Sequence, residues 1–218
     1  MSAITRFGDL GKIFRGGRSE LLNIVAQLSV LYEDLRLEVG ELHIVYGNGE
    51  LEEPEMQYRG IYFLRRCLQT LSEFRGGLTR LRMTSEFKQT VGSLTAVDAS
   101  YIAAADKYLQ QNSDRIKELR NELGGHFRLA GIEFAAKHFS NVVGKVTWNR
   151  TPGPGSPGLE CPFAADLVAG AISSKMQAGT DAHTELRRAL AIISEGSLHA
   201  QGAMCALVHA FLWEEFGK

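Results

Sequence analysis

Seven side chains, Leu21, Val25, Leu28, Tyr32, Leu35, Val39 and Leu42, follow one another at alternating steps of four and three. A helix turns once every 3.6 residues, so these steps lay all seven along one stripe. A strand, with its period of two, would scatter them over both faces. A stripe sustained over three heptads has to be covered by another apolar surface. The chain supplies one directly afterwards, in Tyr58, Ile61, Leu64, Leu68, Leu71, Phe74, Leu78 and Leu81. Two such stripes joined by a short polar segment predict an antiparallel helical hairpin. The first helix is expected from about Arg18 to about Val45, with Ser19 as its N-cap and Tyr46-Gly47-Asn48-Gly49 as its stop. The second is expected to open at Pro54, a good first-turn residue, to bend at Gly76-Gly77, and to end between Arg82 and Val91.

A third stripe runs through Ile102, Ala105, Leu109, Ile116, Leu119, Leu123, Phe127, Ala130 and Phe134, with Asp98 as the expected cap. One helix reaching Phe139 would be unusually long. A break at Asn112-Ser113-Asp114 is therefore expected, with Ser113 or Asp114 capping a separate helix. Residues 147–162 read TWNRTPGPGSPGLECP and hold four of the five prolines, so they form a loop. Two helices follow, at about 162–178 and 181–216, the last capped by Asp181. Gly196 and Gly202, with Ala200, Ala203 and Ala206, mark a close helix–helix contact on that last helix. The fold class is all-α: an antiparallel bundle of about five to seven helices with no significant β-sheet. It is organised as a helical bundle over 1–146, a Pro/Gly-rich loop over 147–162, and a C-terminal hairpin over 163–218 that packs on the same bundle.

Hydrophobic residues make up 44% and charged residues 22%, which is enough to build a core and excludes global disorder. No apolar run approaches the roughly 18 residues needed to span a bilayer. The stretch from Met1 to Phe14 has no apolar signal core, so a cytoplasmic location without membrane association is expected. Its Ile4, Phe7, Leu10 and Phe14 read as a short amphipathic turn used for packing. Cys67, Cys161 and Cys205 are odd in number, widely spaced and lack a CxxC pair, which suits a reducing compartment and argues against a zinc site.

The formal net charge is −1, but its distribution is uneven. Residues 18–53 carry two basic and eight acidic side chains, whereas residues 54–91 carry seven basic (Arg59, Arg65, Arg66, Arg75, Arg80, Arg82, Lys88) and three acidic ones. Two readings stand. The segments pack side by side with complementary charge, or the second offers phosphate contacts, for which Arg65, Arg66 and Arg82 are the candidates.

One short segment carries chemistry: IKELRNELGGHF, residues 116–127, in which Arg120-Asn121 precedes His126 by five intervening positions. It resembles the signature of HEPN domains, in which an arginine, usually followed by a polar residue, precedes a histidine by four to six positions. Those are helical bundles of toxin–antitoxin, antiphage and RNA-processing systems. The resemblance covers about a dozen residues, and beyond them only the helical layout of residues 20–140. It implies metal-independent action on RNA, or nucleotide binding, with Arg120, Asn121 and His126 as the site and a homodimer lining one cleft. A cognate protein partner is implied too. The chemistry is coherent: a histidine near its ordinary pKa deprotonates a ribose 2′-hydroxyl, and an arginine holds the crowded phosphate through its fork of donors. The pair Arg36 and His43 also fits the bare spacing, and only the residues around Arg120 favour the later match. His126 lies beside the apolar stripe, where a structural histidine would give the same pattern. The competing reading is a non-catalytic helical scaffold for dimerisation or protein interaction.

Other chemistry has little support. There is no Glu-x-x-His pair of the di-iron bundles, no Gly-x-Ser-x-Gly elbow and no GxxxxGKS loop, so neither cofactor nor metal is expected. Asp114, Glu118, Glu122 and His126 recur every four residues, a stripe that drifts around a helix as a solvated face does. His183, His199 and His209 show no ligand spacing, and the cysteines, set among apolar residues, read as inert.

Overall fold

The structure, a computed structural model, describes residues 20–47, 54–123, 147–148, 159–160 and 182–213. Among them the chain is all-α. The helices are α1 (Glu20–Gly47), α2 (Pro54–Met83), α3 (Ser85–Thr90), α4 (Ala96–Gln111), α5 (Ser113–Leu123) and α6 (Ala182–Phe211), with a 3-10 turn at Val91–Ser93. Strands β1 (Thr147–Trp148) and β2 (Leu159–Glu160) form a two-residue antiparallel ladder, Thr147 opposite Glu160 and Trp148 opposite Leu159. It pairs the two ends of the Pro/Gly-rich stretch. No described helix is long and apolar enough to cross a membrane.

The fold divides into two compact units, and the division does not follow the order of the chain. The first unit takes α1 up to Arg36, α2 from Thr70, then α3, α4 and α6 from Ser194. The second takes α1 from Leu37, α2 up to Gln69, α5, the β ladder and α6 up to Ile193.

In the first unit the expected stripes become the core. Leu21, Val25, Leu28 and Leu35 of α1 are buried, as are Leu71, Phe74, Leu78 and Leu81 of α2, and Ile102, Ala105 and Leu109 of α4. The helices α1 and α2 run antiparallel here: Gln27 accepts from Arg80 at 3.0 Å, and Leu28 lies over Gly77. Gly76-Gly77 does not end the helix, which continues to Met83. A Cβ on Gly77 would stand 2.6 Å from Leu28 Cδ2, so the missing side chain is what lets the two helices approach. The small residues of α6 act similarly. Ala200, Ala203 and Ala206 are buried, and Cβ atoms on Gly196 and Gly202 would come within 3.1 Å of Leu71 and 2.9 Å of Tyr101.

Local capping fixes the boundaries. Thr84 turns the chain after α2: its hydroxyl donates to the Leu81 carbonyl at 2.8 Å and accepts from the Phe87 N–H at 3.2 Å, which starts α3. Glu86 of α3 in turn accepts from the Leu21 N–H at 3.1 Å, placing a carboxylate in the first turn of α1. The N-cap of α4 is Thr95, not Asp98. Thr95 Oγ1 accepts from the Asp98 N–H at 3.1 Å and donates to Asp98 Oδ2 at 2.7 Å, so Asp98 is the third helical residue, tied by its side chain to the cap. The expected break falls at Asn112, the C-cap of α4. Ser19 and Asp181, read as caps, and the amphipathic Ile4, Phe7, Leu10 and Phe14 lie outside the described residues.

In the second unit α1 and α2 are again antiparallel, but charged pairs carry much of the contact. Arg59 pairs with Glu41, and Arg66 Nε donates to the buried Glu38 at 3.1 Å. Gly60 packs under Val45 and Tyr46. Leu42, Val45, Leu64, Leu68, Ile116, Leu119, Ala189 and Ile193 are buried.

Candidate functional site

The sequence motif falls in the second unit. Ile116 and Leu119 bury one face of α5 and so orient its last turn, where Arg120 and Asn121 stand half-buried at the edge of that face. Arg120 Nη2 donates to Asn121 Oδ1 at 3.2 Å. A neutral amide partner leaves the guanidinium its full positive charge. One turn earlier, Arg115 pairs with Glu118 at 2.6 Å. His126 lies outside the described residues. The structure therefore brings two of the three motif residues together and does not describe the third.

The arginines proposed to extend a phosphate surface are differently placed. Arg65 is half-buried. Arg66 is tied to Glu38, and Arg82 to Asp106. A phosphate would have to compete with those carboxylates for both guanidinium groups. Among the described residues no group of three His, Cys, Asp or Glu side chains is arranged to hold a metal ion.

Of the cysteines, Cys67 is buried in the second unit, where burial, then the nearby Glu38 carboxylate, pushes its thiol well above the ordinary range. It is a packing residue. Cys205 differs in being exposed.

Cys205 belongs to a feature of the first unit that local sequence patterns did not reveal. A cavity of about 430 Å³ opens between α1 and α6, with Tyr32 and Glu33 on one wall and Met204, Cys205, Val208 and His209 on the other. Trp213 also lines it just beyond α6, where its backbone N–H donates to the Val208 carbonyl at 2.7 Å. His209 Nδ1 lies 3.0 Å from Asp98 Oδ2. Asp98 is buried, and the Thr95 hydroxyl, followed by the His209 ring, holds its carboxyl below the ordinary value. The Tyr32 phenol is raised by burial and, secondarily, by the proximity of Cys205. Glu33 is held by Arg36 at 2.9 Å, one turn along α1.

Asp98 and His209 are 111 residues apart, so only tertiary packing joins them. The one sequence signal available was the four-residue spacing of Cys205 and His209, which stacks them on adjacent turns of one helix. No family model matches the chain, and comparison with curated proteins and with solved structures returns no match.

Proposed function

We propose that this chain is a HEPN-like protein that binds RNA or a nucleotide and cleaves RNA without a metal, with Arg120, Asn121 and His126 as its site. The observation that carries the reading is the Arg120–Asn121 contact at the end of α5. It places a permanently charged guanidinium six positions before the histidine of the motif. The all-helical architecture of the described residues is the kind of scaffold such a motif occupies.

In this reading His126 takes the proton of a ribose 2′-hydroxyl, whose oxygen attacks the adjacent phosphorus. Arg120 stabilises the charge gathering on the phosphoryl oxygens, and Asn121 keeps the guanidinium aimed. Two copies of the chain pair to line one cleft, Arg65 and Arg66 lengthen the RNA track once phosphate displaces Glu38, and Arg82 offers a further phosphate contact once its Asp106 partner is displaced. The setting would be a cytoplasmic toxin–antitoxin or antiphage system with a cognate protein partner.

A scaffold role is favoured by one specific observation: Arg59, Arg66 and Arg82 of the basic segment already meet carboxylates of the same chain. An RNase assay on total RNA in EDTA, run with wild type, Arg120→Ala and His126→Ala, separates the two. Cleavage by wild type that both substitutions reduce at least about a hundredfold, with unchanged circular dichroism, is the expected result. Absence of cleavage together with absence of RNA binding in a filter assay would move the assignment to the scaffold.

A further inference from the structure

We propose that the cavity of the first unit is an acyl-transfer site for apolar carboxylic esters, with Cys205 as nucleophile, His209 as its base and Asp98 as a positioning residue. The site is separate from Arg120, and neither reading depends on the other.

The case begins with the tautomer. The Asp98 carboxyl is held ionised by its hydrogen bonds from Thr95 and His209. An ionised carboxylate can only accept, so the proton of a neutral His209 ring sits on Nδ1 and the lone pair is left on Nε2. That is the arrangement a general base requires, with the imidazole fixed by a third group. Four residues before it on α6, Cys205 is about 5–6 Å away between Cβ atoms, and both side chains line the same cavity. Its thiol is exposed, in contrast to Cys67. Met204, Val208 and Trp213 make the surrounding wall apolar, which suits an acyl chain rather than a sugar or a phosphate. Across the cavity the Tyr32 phenol keeps its proton and serves as a hydrogen-bond donor.

The step balances with these groups. His209 Nε2 takes the thiol proton, and the sulfur forms a bond to the ester carbonyl carbon. The carbonyl π pair moves onto oxygen, where the Tyr32 O–H donates to it. Collapse breaks the carbon–oxygen bond to the alcohol, which leaves with the proton from His209 Nε2. The product is an S-acyl Cys205. Water, deprotonated by the same nitrogen, then releases the carboxylic acid and restores the thiol.

The test uses the full chain with p-nitrophenyl octanoate and p-nitrophenyl acetate, following p-nitrophenolate release and mapping adducts by peptide mass spectrometry. The expected result is an octanoyl adduct on Cys205, formed more than about tenfold faster than the acetyl adduct because the chain is buried in the cavity. Cys205→Ser abolishes it, and His209→Gln slows it about a hundredfold. Both substituted residues are exposed, so the fold is retained. For Asp98 the decisive readouts are the split of kcat against KM in Asp98→Asn and rescue by Asp98→Glu. The carboxylate fixes the His209 tautomer and does not touch the ester, so kcat for acylation falls while KM for the octanoate ester holds, and Asp98→Glu restores most of the rate. Adducts confined to lysines, equal rates for the two esters, or an unchanged rate in His209→Gln would overturn the proposal. A loss in Asp98→Asn that falls on KM alone, or that Asp98→Glu does not rescue, would make Asp98 purely structural and overturn its assignment.

Discussion

The same two helices, α1 and α2, are joined by different physics in the two units. In the first unit the contact is steric: Leu28 is fully buried and occupies the space a side chain on Gly77 would need. In the second, ion pairs are added to the apolar packing, with Glu41 against Arg59 and Glu38 against Arg66 beside the buried Leu42, Val45, Leu64 and Leu68. A packed leucine gains from every contact atom and is insensitive to salt. An ion pair gains only the surplus of attraction over desolvation, and that surplus shrinks where solvent reaches it. The first stretch should therefore set most of the stability and the second should set its response to ionic strength.

The largest effect expected from this contrast is in the steric stretch. Leu28→Ala removes a fully buried side chain at a point where the facing residue has no side chain to collapse into the space. It should cost about 3–4 kcal/mol, read as a shift in urea midpoint with unchanged slope, and the loss should be the same at low and high salt. Arg66→Met in the second stretch should cost less, about 2 kcal/mol, because it removes the guanidinium that pairs with the buried Glu38, while Arg66 itself is 40% exposed. The double substitution Glu38→Gln, Arg66→Met should recover most of that. The cost of Arg66→Met should also fall in 1 M salt, where the screening length drops to about 3 Å. Equal salt sensitivity of the two variants would mean that the division between steric and charged contact is wrong.

How far the sequence revealed these features follows the range of the interactions. The apolar stripes repeat locally, and most of the residues they named, from Leu21 to Leu42 and from Tyr58 to Leu81, are the ones that pack, with Tyr32, Val39 and Ile61 only half-buried and Tyr58 exposed. The opposite charge of residues 18–53 and 54–91 pointed to complementary packing, and Glu38–Arg66, Glu41–Arg59 and Gln27–Arg80 join them. Asp98 was misread because the threonine three residues before it takes the capping position and binds its carboxylate, whereas an acid alone resembles the cap itself. The Asp98–His209 contact was invisible, since no local period links residues 111 apart. The homodimer and the role of His126 come from the motif resemblance, and the RNA contacts at Arg65, Arg66 and Arg82 from the basic charge of residues 54–91.

The last prediction separates two adjacent glycines that the sequence treats as one. In Gly76-Gly77 the first faces open space, with nothing within 4 Å of an added Cβ, while the second faces Leu28 at 2.6 Å. Both lie within a continuous helix, so alanine at either position lowers the entropy of the unfolded chain and improves helix propensity. At Gly76 that is the whole effect, and Gly76→Ala should stabilise by about 0.5–1 kcal/mol. At Gly77 the same gain is opposed by a contact that forces Leu28 or the α1 backbone to move, and Gly77→Ala should destabilise by about 1–2 kcal/mol net. Opposite signs in thermal denaturation would show that close approach of α1 and α2 in the first unit selects glycine. If both variants were stabilised, Leu28 would have room to re-pack, and the first stretch would be no more steric than the second.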